Sequence, residues 1–372
     1  MLRLALPRTN DQRPKPLALA VDARVVAQDT RGIGRYERAI LRRLVVRGDV
    51  ALTLLCRGAF PFRYRAMFAR VLGSDRFAIA SRVKPAHDLA WHPANGTFFP
   101  SSKPSVVTIH DAVPFRYPNP DPQRRAREQD PFLASVRSAT QIVAVSQFGK
   151  AEVAGAFNIP PERIDVIYHG IERSFSTGEA NALPAGVYAG RYLLFVGDPA
   201  EPRKNFAMLY EAHRRTWPEN DGPAIVVAGP GAPELPGVVR AGVIGDDLEG
   251  ASNERMRALY RGAIALALSS FHETFGMPAL EAMASGTPVL ASRASCLPEI
   301  CGTAAIFAAP DDADAWAHIL GRITRDGELR VRLRNAGLVR ARNFDWDAST
   351  EAHLALFRRI VEASQSRVTI PR

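Results

Sequence analysis

The first periodic feature of the chain is a short apolar run, Leu17-Ala-Leu-Ala-Val21, and from there short apolar runs alternate with longer stretches of helical period. Runs of four or five apolar residues bounded by turn formers predict buried strands, and the amphipathic stretches between them predict helices. In the first half, strands are expected at 17–21, 52–55, 106–109, 142–145 and 164–168, with helices from about 34 to 46, near 62–72, near 124–138 and near 147–157. A second series begins at Tyr192-Leu-Leu-Phe-Val196 and continues through 225–228, 238–244, 264–268, 288–291 and 306–307. Strand–helix alternation implies an α/β fold built on doubly wound parallel sheets. Residues 173–190, rich in Ser, Gly, Ala and Pro without a period, suit a linker. Two Rossmann-like domains, 1–172 and 191–344, are therefore expected to face a crevice, followed by an amphipathic helix within 345–372 capped by Asp345 or Asp347.

Within the second series, Phe271-His-Glu-Thr-Phe-Gly-Met-Pro-Ala-Leu-Glu281 sets Glu273 and Glu281 on either side of a Gly276/Pro278 break. In one continuous helix of about 3.6 residues per turn the two side chains would sit roughly 80° apart and two turns distant. Pro278 instead suits the first helical position, where its missing N–H costs nothing, so the helix is expected to begin at Met277–Pro278 with Glu281 about one turn in. Glu273 then lies on a loop, both carboxylates face one crevice, and the amides of Thr274, Phe275, Gly276 and Met277 form an anion site. Ligands of parallel sheets bind beyond the carboxyl ends of the strands, where this loop falls. Phosphate suits a helix N-terminus and sugar hydroxyls suit a carboxylate. The plainer alternative makes Glu281 a complement to the helix dipole and Glu273 a solvated loop acid.

At 372 residues and 47% hydrophobic, the chain is long enough for two full cores. No apolar run approaches the ~20 residues that span a bilayer. Residues 1–16 are Arg/Pro-rich without the apolar centre of a signal peptide, so a cytoplasmic location is expected. Cys56, Cys296 and Cys301 are odd in number and lack metal spacing, which reads as reduced thiols and no metal site. The net charge of +10 is uneven: residues 1–175 hold 27 Lys+Arg against 15 Asp+Glu, and the remainder 21 against 23. A basic first half favours an anionic partner, whether nucleic acid, an anionic membrane surface or a phosphate-bearing substrate.

Other groups fall beside the predicted strand ends. Pro202-Arg-Lys-Asn205 opens a helix with Asn205 as its expected cap. Two cations there oppose the helix dipole unless an anion joins them, and Arg203 (a bidentate fork) with Lys204 (a point charge) suits a diphosphate. A surface ion pair of Arg203 with Glu201 is the alternative. Gly32 and Gly34, in Thr30-Arg-Gly-Ile-Gly-Arg-Tyr36, would let backbone approach a phosphate, although Glu37 replaces the third small residue of a dinucleotide fingerprint. His110-Asp111 ends a strand on the same edge. Near 60–72, Phe60, Phe62, Tyr64, Met67 and Phe68 interleave with Arg63, Arg65 and Arg70, a pattern open to an anionic membrane or to a core-docked helix with an Arg face. Asp312/Asp314 and Asp345/Asp347 sit at predicted helix starts and read as caps rather than metal ligands.

Taken together, Gly32-Ile-Gly-Arg-Tyr36, Thr108–Phe115, Val145–Lys150, Ile167–Gly170, Phe195-Val-Gly197 with Pro202–Asn205, and the Glu273/Glu281 motif resemble the retaining glycosyltransferases of the GT-B fold, group 1 or family 4. Ser295–Glu299 and Phe344-Asp-Trp346 look like further members of the pattern. The resemblance implies that 1–172 is the acceptor side, that 191–344 binds a nucleotide sugar, and that the final helix crosses back onto the first domain. It implies that Glu273 bonds donor-sugar hydroxyls, Glu281 holds the ribose, and residues 274–277 face sugar and phosphates. Arg203 and Lys204 would stabilise the departing nucleoside diphosphate, so that neither metal nor cofactor is needed beyond the donor. His110 would touch the sugar near the reacting carbon, and the Gly32–Gly34 loop would close over the phosphates. Thr274 stands where Gly is common and Ser269-Ser270 where Pro-Ser is usual, which bears on sugar identity. The subgroup resembles mannosyltransferases of cell-surface polysaccharide and lipopolysaccharide assembly, making GDP-mannose the preferred donor, with UDP-sugars and dTDP-rhamnose open. The implied acceptor is a glycan or a polyprenyl-diphosphate-linked glycan. A sugar-nucleotide epimerase on the same architecture is an alternative. A nucleic-acid-binding protein is a weaker one, because the chain carries no recognised nucleic-acid module and no nucleic-acid partner is expected.

Overall fold

The computed structural model of the protein describes residues 15–26, 29, 32–58, 60–244 and 254–368. The first sheet contains β1 (Leu17–Asp22), β2 (Val50–Leu55), β3 (Ala78–Ala80), β4 (Leu89–His92), β5 (Ser105–Ile109), β6 (Gln141–Ala144) and β7 (Ile164–Val166). The second contains β8 (Tyr192–Val196), β9 (Ala224–Ala228), β10 (Val238–Gly242), β11 (Ala265–Leu268), β12 (Val289–Ser292) and β13 (Ala305–Ala308). Their spatial orders are β3-β2-β1-β4-β5-β6-β7 and β10-β9-β8-β11-β12-β13, with every pairing parallel.

Helices α1 (Gly32–Leu44), α2 (Arg65–Leu72), α3 (Val113–Arg116), α4 (Pro122–Ser138) and α5 (Gln147–Phe157) accompany the first sheet. The second is accompanied by α6 (Phe206–Thr216), α7 (Glu254–Gly262), α8 (Met277–Ala284), α9 (Leu297–Cys301), α10 (Ala313–Arg325) and α11 (Gly327–Ala341), and α12 (Trp346–Val368) closes the chain. In each sheet the strand order reverses once, between β1 and β4 and between β8 and β11. Those reversals open a crevice outside the carboxyl ends of the strands.

Two strands have too little apolar sequence to be read from periodicity. β4 offers only Leu89-Ala-Trp91 before His92, yet it lies between β1 and β5 with every residue buried. β3 is a three-residue edge strand. The stretch expected as one helix near 62–72 divides into a 3-10 turn, Pro61–Tyr64, and α2, whose inner face buries Phe68, Val71 and Leu72. All three cysteines are free and buried, and Asp312 caps α10 by accepting from the Ala315 amide at 2.9 Å.

Helix α12 packs on the first sheet's side of the molecule, burying Trp346, Leu354, Phe357 and Ile360 in one core with Leu19, Trp91 and Val106. Full burial of such side chains contributes about 1.5–3 kcal/mol each relative to exposure. At its start the Asp345 carboxylate accepts from the Asp347 amide at 2.7 Å, while Asp347 pairs with Arg43 of α1 and with Arg173. A buried polar relay fixes the helix in register. Trp91 Nε1 donates to Thr108 Oγ1 at 3.1 Å, the Tyr36 hydroxyl lies 3.1 Å from Thr108 Oγ1 and 2.7 Å from His353 Nε2, and His353 Nδ1 lies 2.7 Å from the Ser349 carbonyl. A carbonyl can only accept, so Nδ1 carries the proton, Nε2 accepts from Tyr36, and Tyr36 accepts from Thr108.

Burial pushes the His353 imidazole down to about 4, helped by nearby His110 and opposed by the Ser349 bond. Below pH ~6.5 the unfolded chain takes up a proton that the folded chain refuses, so stability falls as pH drops from ~6.5 toward ~4. His353 alone should remove on the order of 2 kcal/mol between pH 7 and pH 5. Urea midpoints at the two pH values should show the loss, and His353→Gln should flatten the slope; an unchanged slope would contradict this assignment.

Candidate active site

The loops that follow β8 and β11, the two strands at the second sheet's reversal, hold the charged groups. After β8 the chain makes a 3-10 turn, Pro202–Lys204, and after β11 it runs through Ser269–Gly276. Lys204 Nζ lies 2.6 Å from Glu273 Oε1, the Ser270 hydroxyl donates to the same oxygen at 2.8 Å, and the Arg203 guanidinium approaches Oε2 at 3.9 Å. Glu273 is 7% exposed, which excludes the solvated loop acid. Its burial alone would raise the carboxyl's pKa; the Lys204 charge and hydrogen bond, Arg203 and Ser270 outweigh this and hold it below the usual carboxylate range.

Arg203 also makes the alternative ion pair with Glu201 and donates to the His272 carbonyl at 3.4 Å, while it lines the interdomain cleft. Asn205 stands at the cap position of α6 but does not cap it. Its backbone is left-handed (φ 56°), and its side-chain amide donates to the Ser269 carbonyl at 3.1 Å, binding the two charged loops together, and to the Pro310 carbonyl at 2.6 Å in the loop after β13.

Helix α8 begins at Met277 with Pro278 in its first turn, as the break implies, and Gly276 precedes it at φ 80°. A Cβ on Gly276 would also stand 2.9 Å from Leu297, so only glycine turns the chain into the helix here. Thr274, Phe275, Gly276 and Met277 line an interdomain cleft of about 440 Å³ together with Arg203, Lys204 and Glu273. Glu281 is absent from that wall, contrary to the expectation that both carboxylates face the open crevice. It is buried within α8, with Tyr260 donating to Oε2 at 2.8 Å and Arg35 of α1 paired to Oε1 across the domain seam. The physical reason is that a buried carboxylate takes the nearest donors, here a phenol and a guanidinium.

The facing wall comes from the first sheet's carboxyl edge: Asp29, Gly32, His110, Asp111 and, from the segment after β7, His169. His110 Nε2 donates to the Pro93 carbonyl at 2.7 Å, which leaves Nδ1 as an acceptor, and burial holds the ring below its usual pKa. His169 stacks on it at 5.3 Å and 25° and is driven well below its usual pKa, chiefly by burial and then by His110 and His353. Sequence reasoning passed over Asp29 and His169 on this wall; for His169, its place in Ile167-Tyr-His-Gly170, just after a strand end, was the available signal. Gly32 borders the cleft, whereas Gly34 does not line it. A Cβ on Gly34 would meet the Asp29 carbonyl oxygen at 1.8 Å, so this glycine is there for close backbone packing. Thr30 and Arg31 of the same motif lie outside the described residues.

Two further motifs meet across the seam. The Glu299 carboxylate of α9 accepts from the Gln147 and Phe148 amides at 2.7 and 3.0 Å and from the Tyr168 hydroxyl at 2.8 Å. It thereby caps α5 of the opposite domain. The Ser146 hydroxyl donates to the Thr274 carbonyl at 2.7 Å, and His272 Nε2 bonds Glu152 at 2.6 Å.

Both halves match established protein families. A family described as Glycosyltransferase Family 4 matches residues 17–175, which include all of the first sheet, and one described as Glycosyl transferases group 1 matches residues 190–326, which include all of the second. The chain belongs to the group 1/family 4 glycosyltransferases. It is 28% identical to the O-antigen chain mannosyltransferase B of Escherichia coli across 86% of this chain and 93% of that one. Its fold resembles sucrose-phosphate synthase from Thermosynechococcus elongatus, with TM-score 0.67 at 18% identity over 94% and 100% of the two chains. It also resembles Anabaena Alr3699/HepE in complex with UDP and glucose, with TM-score 0.64 at 15% identity over 92% and 99%. The architecture of this glycosyltransferase is GT-B.

Because Glu273 is buried and ionised, removing its main countercharge should be severe. Lys204→Met should cost about 3–5 kcal/mol of stability, the range for breaking a buried ion pair, and adding Glu273→Gln should restore most of it. Urea unfolding of the single and double variants measures both. A single-variant loss within the few tenths typical of surface changes would show that Lys204 does not hold the charge.

Proposed function

We propose that this glycosyltransferase moves a hexose, preferably mannose, from a nucleoside diphosphate sugar to a glycan or polyprenyl-diphosphate-linked glycan in O-antigen or other surface-polysaccharide assembly. In this reading it does so with retention and without a metal. The observation that carries the reading is the joining, at one cleft between the two sheet reversals, of Glu273, Arg203, Lys204, the start of α8 and His110. Preference for mannose rests on the O-antigen mannosyltransferase relative, and a nucleoside diphosphate donor is supported by the UDP-bound neighbour. Residues 191–344 take the donor, 1–172 take the acceptor, and 173–190 link them. A cytoplasmic site of action, at the inner face of the membrane, goes with a lipid-linked acceptor; among the described residues no helix is long and apolar enough to cross a bilayer.

In this scheme the bond from the sugar anomeric carbon to the β-phosphate oxygen breaks and its electron pair leaves with the diphosphate. Arg203, Lys204 and the amides ahead of α8 stabilise the charge that develops there, where preorganised donors act most strongly. The acceptor hydroxyl bonds the anomeric carbon on the same face, and its proton passes to the departing phosphate oxygen. Glu273 orients the sugar hydroxyls. The Nδ1 lone pair of His110 accepts from a hydroxyl near the reacting carbon, a role suited to an imidazole that burial keeps neutral. Glu281 holds the ribose with the acceptor capacity left beside its bonds to Tyr260 and Arg35.

A thermal-shift screen against GDP-, UDP-, dTDP- and ADP-sugars with chelator present tests the donor reading. GDP-mannose should give the largest stabilisation, about 2.7 kcal/mol at a hundredfold excess over Kd. Glu281→Ala and Arg203→Ala/Lys204→Ala should abolish it. A folded chain that responds to none of the four would sink the proposal, and a response that requires divalent metal would overturn its metal-independent form.

A further inference from the structure

We propose that Arg57, Phe60, Phe62, Arg63 and Tyr64, at the carboxyl edge of the first sheet, form a docking surface for an anionic lipid bilayer. The α2 helix that follows is anchored in the core, but the turn leading into it turns its aromatics outward. Phe60 is 59% exposed, Phe62 67% and Tyr64 42%, and the first two rings pack edge to face at 5.9 Å. Three large aromatics within five residues make a cluster, unlike the scattered apolar side chains of an ordinary surface.

The charge around the cluster is one-sided. Residues 50–84 hold seven Lys or Arg (Arg57, Arg63, Arg65, Arg70, Arg76, Arg82, Lys84) against a single acid, Asp75, which is half of the first half's cationic excess. Arg65 is held by the Phe77 and Asp75 carbonyls. Arg57 and Arg63 are exposed and make no side-chain hydrogen bond or ion pair among the described residues. Arg82 and Lys84 follow β3, next to β2, and so stand on the same edge as Arg57.

Aromatic rings beside unpaired guanidinium groups match the two layers of a bilayer surface. The rings enter the boundary between headgroups and acyl chains, and the cations meet lipid phosphates of an anionic leaflet. The chain leaving β1 places Ala23 and Arg24 beside this surface and Asp29 and Gly32 on the cleft wall. A docked bilayer therefore lies next to the cleft mouth. That consequence, though not the binding itself, rests on the lipid-linked acceptor proposed above.

Flotation of the full chain with phosphatidylcholine vesicles, with and without phosphatidylglycerol, tests the surface, without any sugar nucleotide. Recovery should require the anionic lipid and fall with salt. Phe60→Ser/Phe62→Ser and Arg57→Gln/Arg63→Gln should each lower the partition coefficient by roughly tenfold or more, with unchanged melting curves showing that the variants fold. Equal recovery on neutral vesicles, or anionic binding untouched by both variants, would overturn the proposal. Duplex DNA that displaces the chain at equal phosphate concentration would reassign the surface to nucleic acid. A chain that floats as described but ignores all four sugar nucleotides would retain the surface and lose the catalytic reading; the reverse pattern would do the opposite.

Discussion

A carboxylate buried where two parallel sheets face each other has to be neutralised in place, and the second domain is arranged around that need at Glu273. Burial disfavours its charge, while Lys204, Arg203 and Ser270 restore it from within hydrogen-bonding or ion-pairing range. The countercharges come from the loop after β8 and the carboxylate from the loop after β11, so the pair forms only because those strands are neighbours across the reversal in strand order. Asn205 then ties the two loops through the Ser269 carbonyl and anchors them to the loop after β13 through the Pro310 carbonyl. An uncapped helix start is thereby exchanged for a fixed distance between cation and acid. In the proposed role at a diphosphate, such a fixed array avoids reorganising as charge develops.

The two domains are held face to face by groups that would be unsatisfied apart. Glu299 supplies the cap that α5 needs beyond its own Ser146, and Arg35 and Glu281 close the seam on the other side of the cleft. Helix α12 completes the arrangement by returning from the second domain to the first, where Trp91, Thr108, Tyr36 and His353 each find one acceptor in a relay that ends on the Ser349 carbonyl. Tyr36 also packs edge-on against His110 at 4.8 Å and contacts His169 at 4.8 Å, so the relay that fixes α12 also positions both histidines of the cleft wall. Fold stability and site geometry therefore share one residue, and both depend on neutral imidazoles.

The α/β alternation, the two Rossmann-like halves and the positions of the charged motifs were legible in the sequence. Apolar runs of four or five residues and a Gly/Pro break at 276–278 are local signals, set by the period of the backbone and by what glycine and proline permit. β4, central in its sheet, was not legible, because three apolar residues before a histidine carry too little period. Nor was the role of His169, whose burial comes from Tyr36, Phe275 and Trp346, residues remote in sequence. What only the tertiary structure decided is which charges meet. The sequence placed Arg203, Lys204, Glu273 and Glu281 at loop and helix ends. The folded chain paired Lys204 with Glu273 but turned Glu281 toward Arg35 of the other domain, because a buried charge is settled by whichever partner packing brings within reach, and sequence spacing does not carry that information.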